Sequence, residues 1–262
     1  MTWVLSRLLA RLESEWCGRR QAAYALDLSF TGAARRFPDR NELYGYMHHY
    51  FANLCPKPVR RHRQYYCRNN RGFGEHAFHA MWWLLLREFR PGRCLEIGVY
   101  RGQVISLWGL IGTTLHFPCE VHGISPFSAT GDAVSAYDED IPYRDDTLAS
   151  FRAFDLEAPT LIVANSKDAR ASRHISSLAW DLIYVDGNHD YDTALSDFKL
   201  SRDNLRSGGL LVMDDASLGT SFRPPRFAFA GHPGPSRVVR EEANSQLEHL
   251  GSVGHNNVFR KR

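Results

Sequence analysis

Hydrophobic positions along the 262-residue chain recur with two periods. Residues 1–25 carry Leu5, Leu8, Leu9 and Leu12 at helical spacing, which predicts an amphipathic helix interrupted by Arg7 and Arg11. Residues 26–72 are rich in Arg, Tyr, His, Asn and Pro and show no clear period, so short helices and loops are expected there. From Gly74 the pattern sharpens. Glu75 to Phe89 reads as a helix stopped by Pro91 and Gly92, Val104 to Leu115 as a second helix, and Tyr191 to Leu205 as a third. Short apolar runs of strand length lie around them, at 93–98, 120–124, 160–164, 181–185 and 210–213. The last is entered through a Ser207-Gly208-Gly209 turn. Towards the C-terminus, Arg237 to His249 predicts a helix, followed by a hairpin that turns at Gly254-His255-Asn256-Asn257.

Apolar runs alternating with helices are the mark of a parallel sheet buried on both faces. The expected architecture is α/β: a Rossmann-like, doubly wound, mostly parallel seven-stranded sheet with an N-terminal helical extension. Residues 1–73 form that extension, read as a cap over a substrate pocket or a contact between two copies in a homodimer. Residues 74–262 form the main domain. Leu218 to Pro235, rich in Pro, Phe and Arg, reads as a lid or loop. Sheets of this kind bind ligands beyond the carboxyl ends of their strands, near the point where strand order reverses, so the informative residues are those that follow the strands.

Composition narrows the classes. Hydrophobic residues at 44% and charged residues at 23% belong to an ordinary globular protein. A net charge of +3 without a basic stripe argues against a nucleic-acid partner. The densest basic stretch, Lys57, Arg60, Arg61, His62 and Arg63, reads as a solvated loop. His76 and His79 share a helix face at i, i+3 and read as surface residues. The five cysteines, Cys17, Cys55, Cys67, Cys94 and Cys119, form no C-x-x-C pair, which fits reduced thiols in a cytoplasm better than a disulfide framework or zinc site. The N-terminus lacks the unbroken apolar core of a signal peptide. No stretch approaches the roughly 20 apolar residues of a membrane span.

The first strand runs into Leu95-Glu96-Ile97-Gly98-Val99-Tyr100-Arg101-Gly102. Gly98 can turn the chain with positive φ. Gly102 lets a helix N-terminus meet a carboxylate, and Glu96 can accept from an ammonium group. Glu-x-Gly-x-x-x-Gly after an apolar strand resembles motif I of class I S-adenosylmethionine (SAM)-dependent methyltransferases. The third glycine of a dinucleotide fingerprint is missing. The resemblance implies that Glu96, Gly98 and Gly102 line the methionine part of SAM. Where most of that family has an acidic ribose ligand this chain has Ser125, with Asp132 a possible substitute. Ser166 and Asp168 fall in the turn that the family places beside the adenine, although both residue types also suit a plain turn and helix cap.

A second motif is more specific. Val185-Asp186-Gly187, His189 and Tyr191 are followed by Gly208-Gly209 and Asp214-Asp215. This resembles the VDG-x-H-x-Y … GG … DD pattern of a methyltransferase group that includes many small-molecule O-methyltransferases. The resemblance covers roughly residues 74–220. Asp186 ends one strand, and Asp214 and Asp215 end the next. Parallel neighbours lie about 4.8 Å apart, so three carboxylates face one cleft and would raise one another's pKa values unless paired. A divalent cation such as Mg²⁺, held by Asp186, Asp214 and Asp215, would resolve that; Asp186 also borders the cofactor. His189 can take a proton from a substrate hydroxyl at neutral pH. The expected function is SAM-dependent methyl transfer to a hydroxyl of a small molecule, such as a sugar, phenol or natural-product scaffold, with divalent-metal assistance. The alternatives are a metal-independent N- or O-methyltransferase and a non-catalytic SAM-binding partner protein.

Overall fold

The computed structural model describes residues 2–19, 21–68, 71–132 and 134–262. Met1 and Arg20, within the expected first helix, and Asn69, Asn70 and Ala133 lie outside the described residues. The apolar runs form the strands β1 (Arg93–Ile97), β2 (Glu120–Ser125), β3 (Thr160–Val163), β4 (Trp180–Val185) and β5 (Leu205–Met213). β6 (Glu248–Val253) and β7 (Asn256–Arg260) are the C-terminal hairpin. Among the described residues the sheet has seven strands in the order β3-β2-β1-β4-β5-β7-β6. β1 to β5 pair in parallel, and β7 lies antiparallel between β5 and β6. Strand order reverses between β1 and β4, which places the ligand crevice at Gly98 and Asp186.

Among the described residues nine α-helices precede the last crossover: α1 (Thr2–Cys17), α2 (Phe30–Arg36), α3 (Arg40–Asn53), α4 (Lys57–Cys67), α5 (His76–Phe89), α6 (Gln103–Leu115), α7 (Tyr143–Ala153), α8 (Ala169–Ser176) and α9 (Tyr191–Asn204). The expected helix over 1–25 stops at Cys17 and exposes Leu5, Leu8, Leu12 and Trp16. The stretch 26–72 is more regular than its sequence shows. Ser29 caps α2 by accepting from the Gly32 N–H, and Asp39 caps α3 by accepting from the N–H groups of Asn41 and Glu42. Three expectations fail here. The basic stretch 57–63 is helix α4, not a solvated loop, and its His62 is wholly buried. His79, expected at the surface, is also buried, with its Nε2 3.2 Å from His62 Nδ1. The Ser207-Gly208-Gly209 turn is instead the start of β5, because Gly208 donates to the Lys261 carbonyl and Lys261 donates to that of Gly209.

Alternation along the strands feeds two cores. Leu182, Tyr184, Leu210 and Val212 face α3, α5 and α6, where Tyr46, Met47, Trp82 and Trp108 pack. Leu95, Ile97, Ile183, Val185, Leu211 and Met213 face the other way, onto Ala171, Ile175 and Phe198 of α8 and α9. At the C-terminus the helix expected over 237–249 is displaced. α10 (Pro233–Val238) widens into a π turn at Val239–Ala243 and ends with Asn244–Gln246, because Glu248 is drawn into β6, pairing with Arg260 at 2.7 Å. The hairpin turns on Gly254 and His255 alone, since Val253 already pairs with Asn256.

Candidate active site

Two cavities meet at the reversal point. The first, about 270 Å³, is lined by Gly98, Ser125, Asn165, Ser166, Asp186 and their neighbours. The second, about 600 Å³, is lined by Glu75, Phe78, Trp82, Glu96, His189, Asp214, Asp215, Phe229, His232 and His255 among others. Gly98, Tyr100, Tyr137 and Asp186 belong to both walls. The larger volume falls within the 300–1,000 Å³ range of small-molecule sites.

Gly98 makes the junction. Its N–H donates to Ile124 at 2.9 Å, while the Asp186 N–H donates to Ile97 at 2.8 Å, so the ends of β2, β1 and β4 are tied together. Its φ is +105°, and a Cβ would lie 1.9 Å from the Asp186 carbonyl oxygen. Only glycine tolerates both that conformation and that approach. Gly102, with φ +80°, precedes α6 as its N-cap but lines neither cavity.

The other expected cofactor contacts divide. Ser125 and Ser166 face the first cavity. Asp168 does not reach it: this exposed side chain accepts from the Asn165 N–H at 2.8 Å, the local turn role open to it from sequence. Behind this wall burial pushes the pKa of Asp197 up to about 6. Asp132 borders the first cavity but turns its carboxylate to His189, accepting from the His189 N–H at 2.9 Å and lying 2.7 Å from Nδ1. Glu96 points into the second cavity and is buried; its Oε2 has no hydrogen-bond partner. Burial, reinforced by the charge of Asp214, pushes its pKa up to about 8.

The acidic edge is organised by histidines. Burial, followed by the charge of Asp214, holds Asp186 well above the usual carboxylate range, and the buried Oδ1 of Asp214 has no hydrogen-bond partner. Asp215 turns away from that pair, with His255 Nδ1 2.6 Å from Oδ1 and His189 Nε2 2.9 Å from Oδ2. Burial opposes its ionisation, yet those two imidazoles hold its pKa below the ordinary carboxylate range. His189 thus lies between two carboxylates, and these outweigh burial to raise its pKa. His255 is raised to about 9, where the charges of Asp214 and Asp215 overcome burial. Behind it Glu75 accepts from the Tyr44 hydroxyl, and burial lifts its pKa to about 7. Among the described residues, the His, Asp and Glu sets whose ligand atoms gather within 4.8 Å are His189, Asp215, His232 and Asp214, Asp215, His255. The trio Asp186, Asp214, Asp215 is not one of them.

Sequence reasoning missed Glu75, His232 and His255. His255 reaches the site from 40 residues beyond Asp215 because the Ala216 N–H donates to its carbonyl at 3.0 Å. In the sequence it reads only as part of a Gly-His-Asn-Asn turn.

Residues 95–216 match a family model described as a methyltransferase domain. No curated protein matches the sequence significantly. Among solved structures, the chain is similar to the SAH-bound Podospora anserina methyltransferase PaMTH1, at 14% identity and a TM-score of 0.54 over 79% of this chain and 89% of that one. It is also similar to the O-methyltransferase from Bacillus cereus in complex with SAH, at 14% identity and 0.54 over 81% and 95%. The fold is that Rossmann-like methyltransferase fold, with an N-terminal helical region.

Proposed function

We propose that this methyltransferase moves a methyl group from SAM to a hydroxyl of a small-molecule acceptor. SAM occupies the first cavity and reaches past Gly98, and the acceptor occupies the second. The observation that carries the reading is the meeting of the two cavities at Gly98, Tyr100, Tyr137 and Asp186, with Asp215 and His189 on the acceptor side. Methyl transfer to oxygen is a displacement at the sulfonium carbon that needs a free lone pair on the nucleophile, so a proton acceptor beside the hydroxyl accelerates it. His189 serves when its Nε2 has lost its proton, with Asp132 fixing the ring through Nδ1. The unpartnered Oε2 of Glu96 suits the ammonium of the methionine moiety. Ser125 and Ser166 suit the nucleoside.

The residues expected to hold Mg²⁺ do not fit that ion in this arrangement. Asp215 is engaged by His189 and His255, and the three carboxylates do not bring one oxygen each within 4.8 Å of one another. The engagement of Asp215 by two histidines favours the metal-independent reading, in which no step passes through Mg²⁺. Gly72 and Phe73 line the second cavity, which supports the cap reading at the C-terminal end of residues 1–73. The five free thiols support a reducing, cytoplasmic setting. Among the described residues no helix is long and apolar enough to cross a membrane. The test is release of S-adenosylhomocysteine (SAH) from SAM across a panel of hydroxylated sugars and phenols. Turnover with none of them but with amine acceptors would replace O- by N-methylation.

A further inference from the structure

Three side chains on the acceptor wall converge without help from Asp186 or Asp214. His189 follows β4, Asp215 follows β5, and His232 closes the segment that leaves β5 and returns to α10. One ligand atom from each lies within 4.8 Å of the other two. The approach of His232 is built into the backbone. Its N–H donates to the Asp215 carbonyl at 2.7 Å, and Ala216 and Gly231 form an antiparallel bridge. Gly231 sits at φ +96°, where a Cβ would meet the Asp215 carbonyl oxygen at 2.2 Å. Asp215 is itself at φ +50°, a conformation that Asp accepts better than most residues, and it presents its carboxylate to both rings. His189 Nε2 and His232 Nε2 lie 2.9 and 3.8 Å from the same Oδ2, with ring centroids 4.1 Å apart.

The surroundings match what a metal site requires. A ligating histidine commonly gives its other ring nitrogen to a carboxylate, and a ligating carboxylate is itself hydrogen bonded. Here Asp132 holds His189 Nδ1 at 2.7 Å, and His255 holds Asp215 Oδ1 at 2.6 Å. The three atoms open onto the second cavity, leaving room for solvent or acceptor oxygens.

We infer that His189, Asp215 and His232 form a binding site for a divalent transition metal that accepts imidazole, such as Zn²⁺ or Co²⁺. Two imidazoles and one carboxylate suit those ions, whereas Mg²⁺ takes oxygen ligands. The metal takes the Nε2 lone pair of His189, and the proton shared there with Asp215 leaves to solvent. Metal binding and proton acceptance by His189 are thus alternative uses of one lone pair. The site stands independently of the methyl-transfer reading, because its ligands are tested by the metal alone.

The experiment titrates tag-free, chelator-stripped protein with Co²⁺, followed by visible absorption and calorimetry, and then adds Zn²⁺ or Mg²⁺. The expected result is one Co²⁺ per chain, displaced by Zn²⁺ and not by millimolar Mg²⁺. His189→Ala and His232→Ala weaken Co²⁺ at least tenfold, Asp132→Asn roughly 10–100-fold, and Asp186→Asn by no more than about threefold. His232→Gln keeps the side-chain bulk, and thermal unfolding of each variant verifies folding. Undiminished Co²⁺ affinity in both folded His232 variants overturns the proposal, as does loss of Co²⁺ on Asp186→Asn. Co²⁺ binding by a protein that ignores SAH would sink methyl transfer and leave this site standing.

Discussion

Replacing Gly98 by alanine perturbs the junction of the two cavities directly. The new Cβ would lie 1.9 Å from the Asp186 carbonyl oxygen, 2.4 Å from its carbon and 2.6 Å from Gly187 Cα, all backbone atoms that no rotamer change can move. A left-handed φ costs a non-glycine residue about 1–2 kcal/mol. Relief requires the β1 and β4 ends to separate, which weakens the hydrogen bonds Gly98 to Ile124 and Asp186 to Ile97. Each is worth about 1 kcal/mol net. The total is about 3 kcal/mol, shared between folding and ligand affinity. Borne by the cofactor cavity, it weakens SAH binding about 100-fold. Borne by folding, it lowers the melting temperature by about 2–4 °C per kcal/mol for a chain of this size. Calorimetry with SAH and a thermal melt on the same sample measure both. An alanine variant with SAH affinity within about threefold of the parent and an unchanged melting temperature would refute the reasoning.

His189→Ala should lower turnover by about 10²–10⁴-fold while leaving SAH affinity nearly unchanged, since the ring faces the acceptor cavity; comparable losses in both would make it a structural residue. Glu96 has a pKa of about 8 in the free protein, so at pH 7 it is largely protonated. Pairing with the ligand ammonium favours its ionised form, so SAH binding should release close to one proton at pH 7 and progressively less above pH 8. Calorimetry in buffers of different ionisation enthalpy reads this, and Glu96→Gln should abolish the release; equal release in the variant would exclude the pairing. Turnover should persist in excess EDTA, because no step runs through Mg²⁺. Complete loss restored by Mg²⁺ alone would return the carboxylate trio to the mechanism.

What the sequence showed and what it hid differ in physical kind. β1, β2, β4 and β5 were legible because burial on both faces leaves apolar runs, the edge strand β3 because its Leu161-Ile162-Val163 run is apolar though not buried, and the turn at Gly98 because a backbone approach of this kind restricts the residue to glycine. Asp186, His189, Asp214 and Asp215 were legible because they follow strands directly. The bounds of α2 to α4 were not, since α3 buries Tyr46, His48, His49 and Tyr50 together and so shows no clear apolar stripe. His232 and His255 were not either. Their relation to Asp215 is made by the Ala216–Gly231 bridge and by pairing of the C-terminal hairpin, contacts with no local signature. The orientation of the carboxylates was also hidden: register places Asp214 and Asp215 at one strand end, but the positive φ of Asp215 sends it to the histidines.

Calorimetric titration of the folded protein with SAH, and in parallel with NAD, tests the central claim most directly. The account predicts one SAH bound per chain and no heat from NAD, because the Gly98 turn lacks the third dinucleotide glycine. Folded protein that gives no heat with SAH would contradict it.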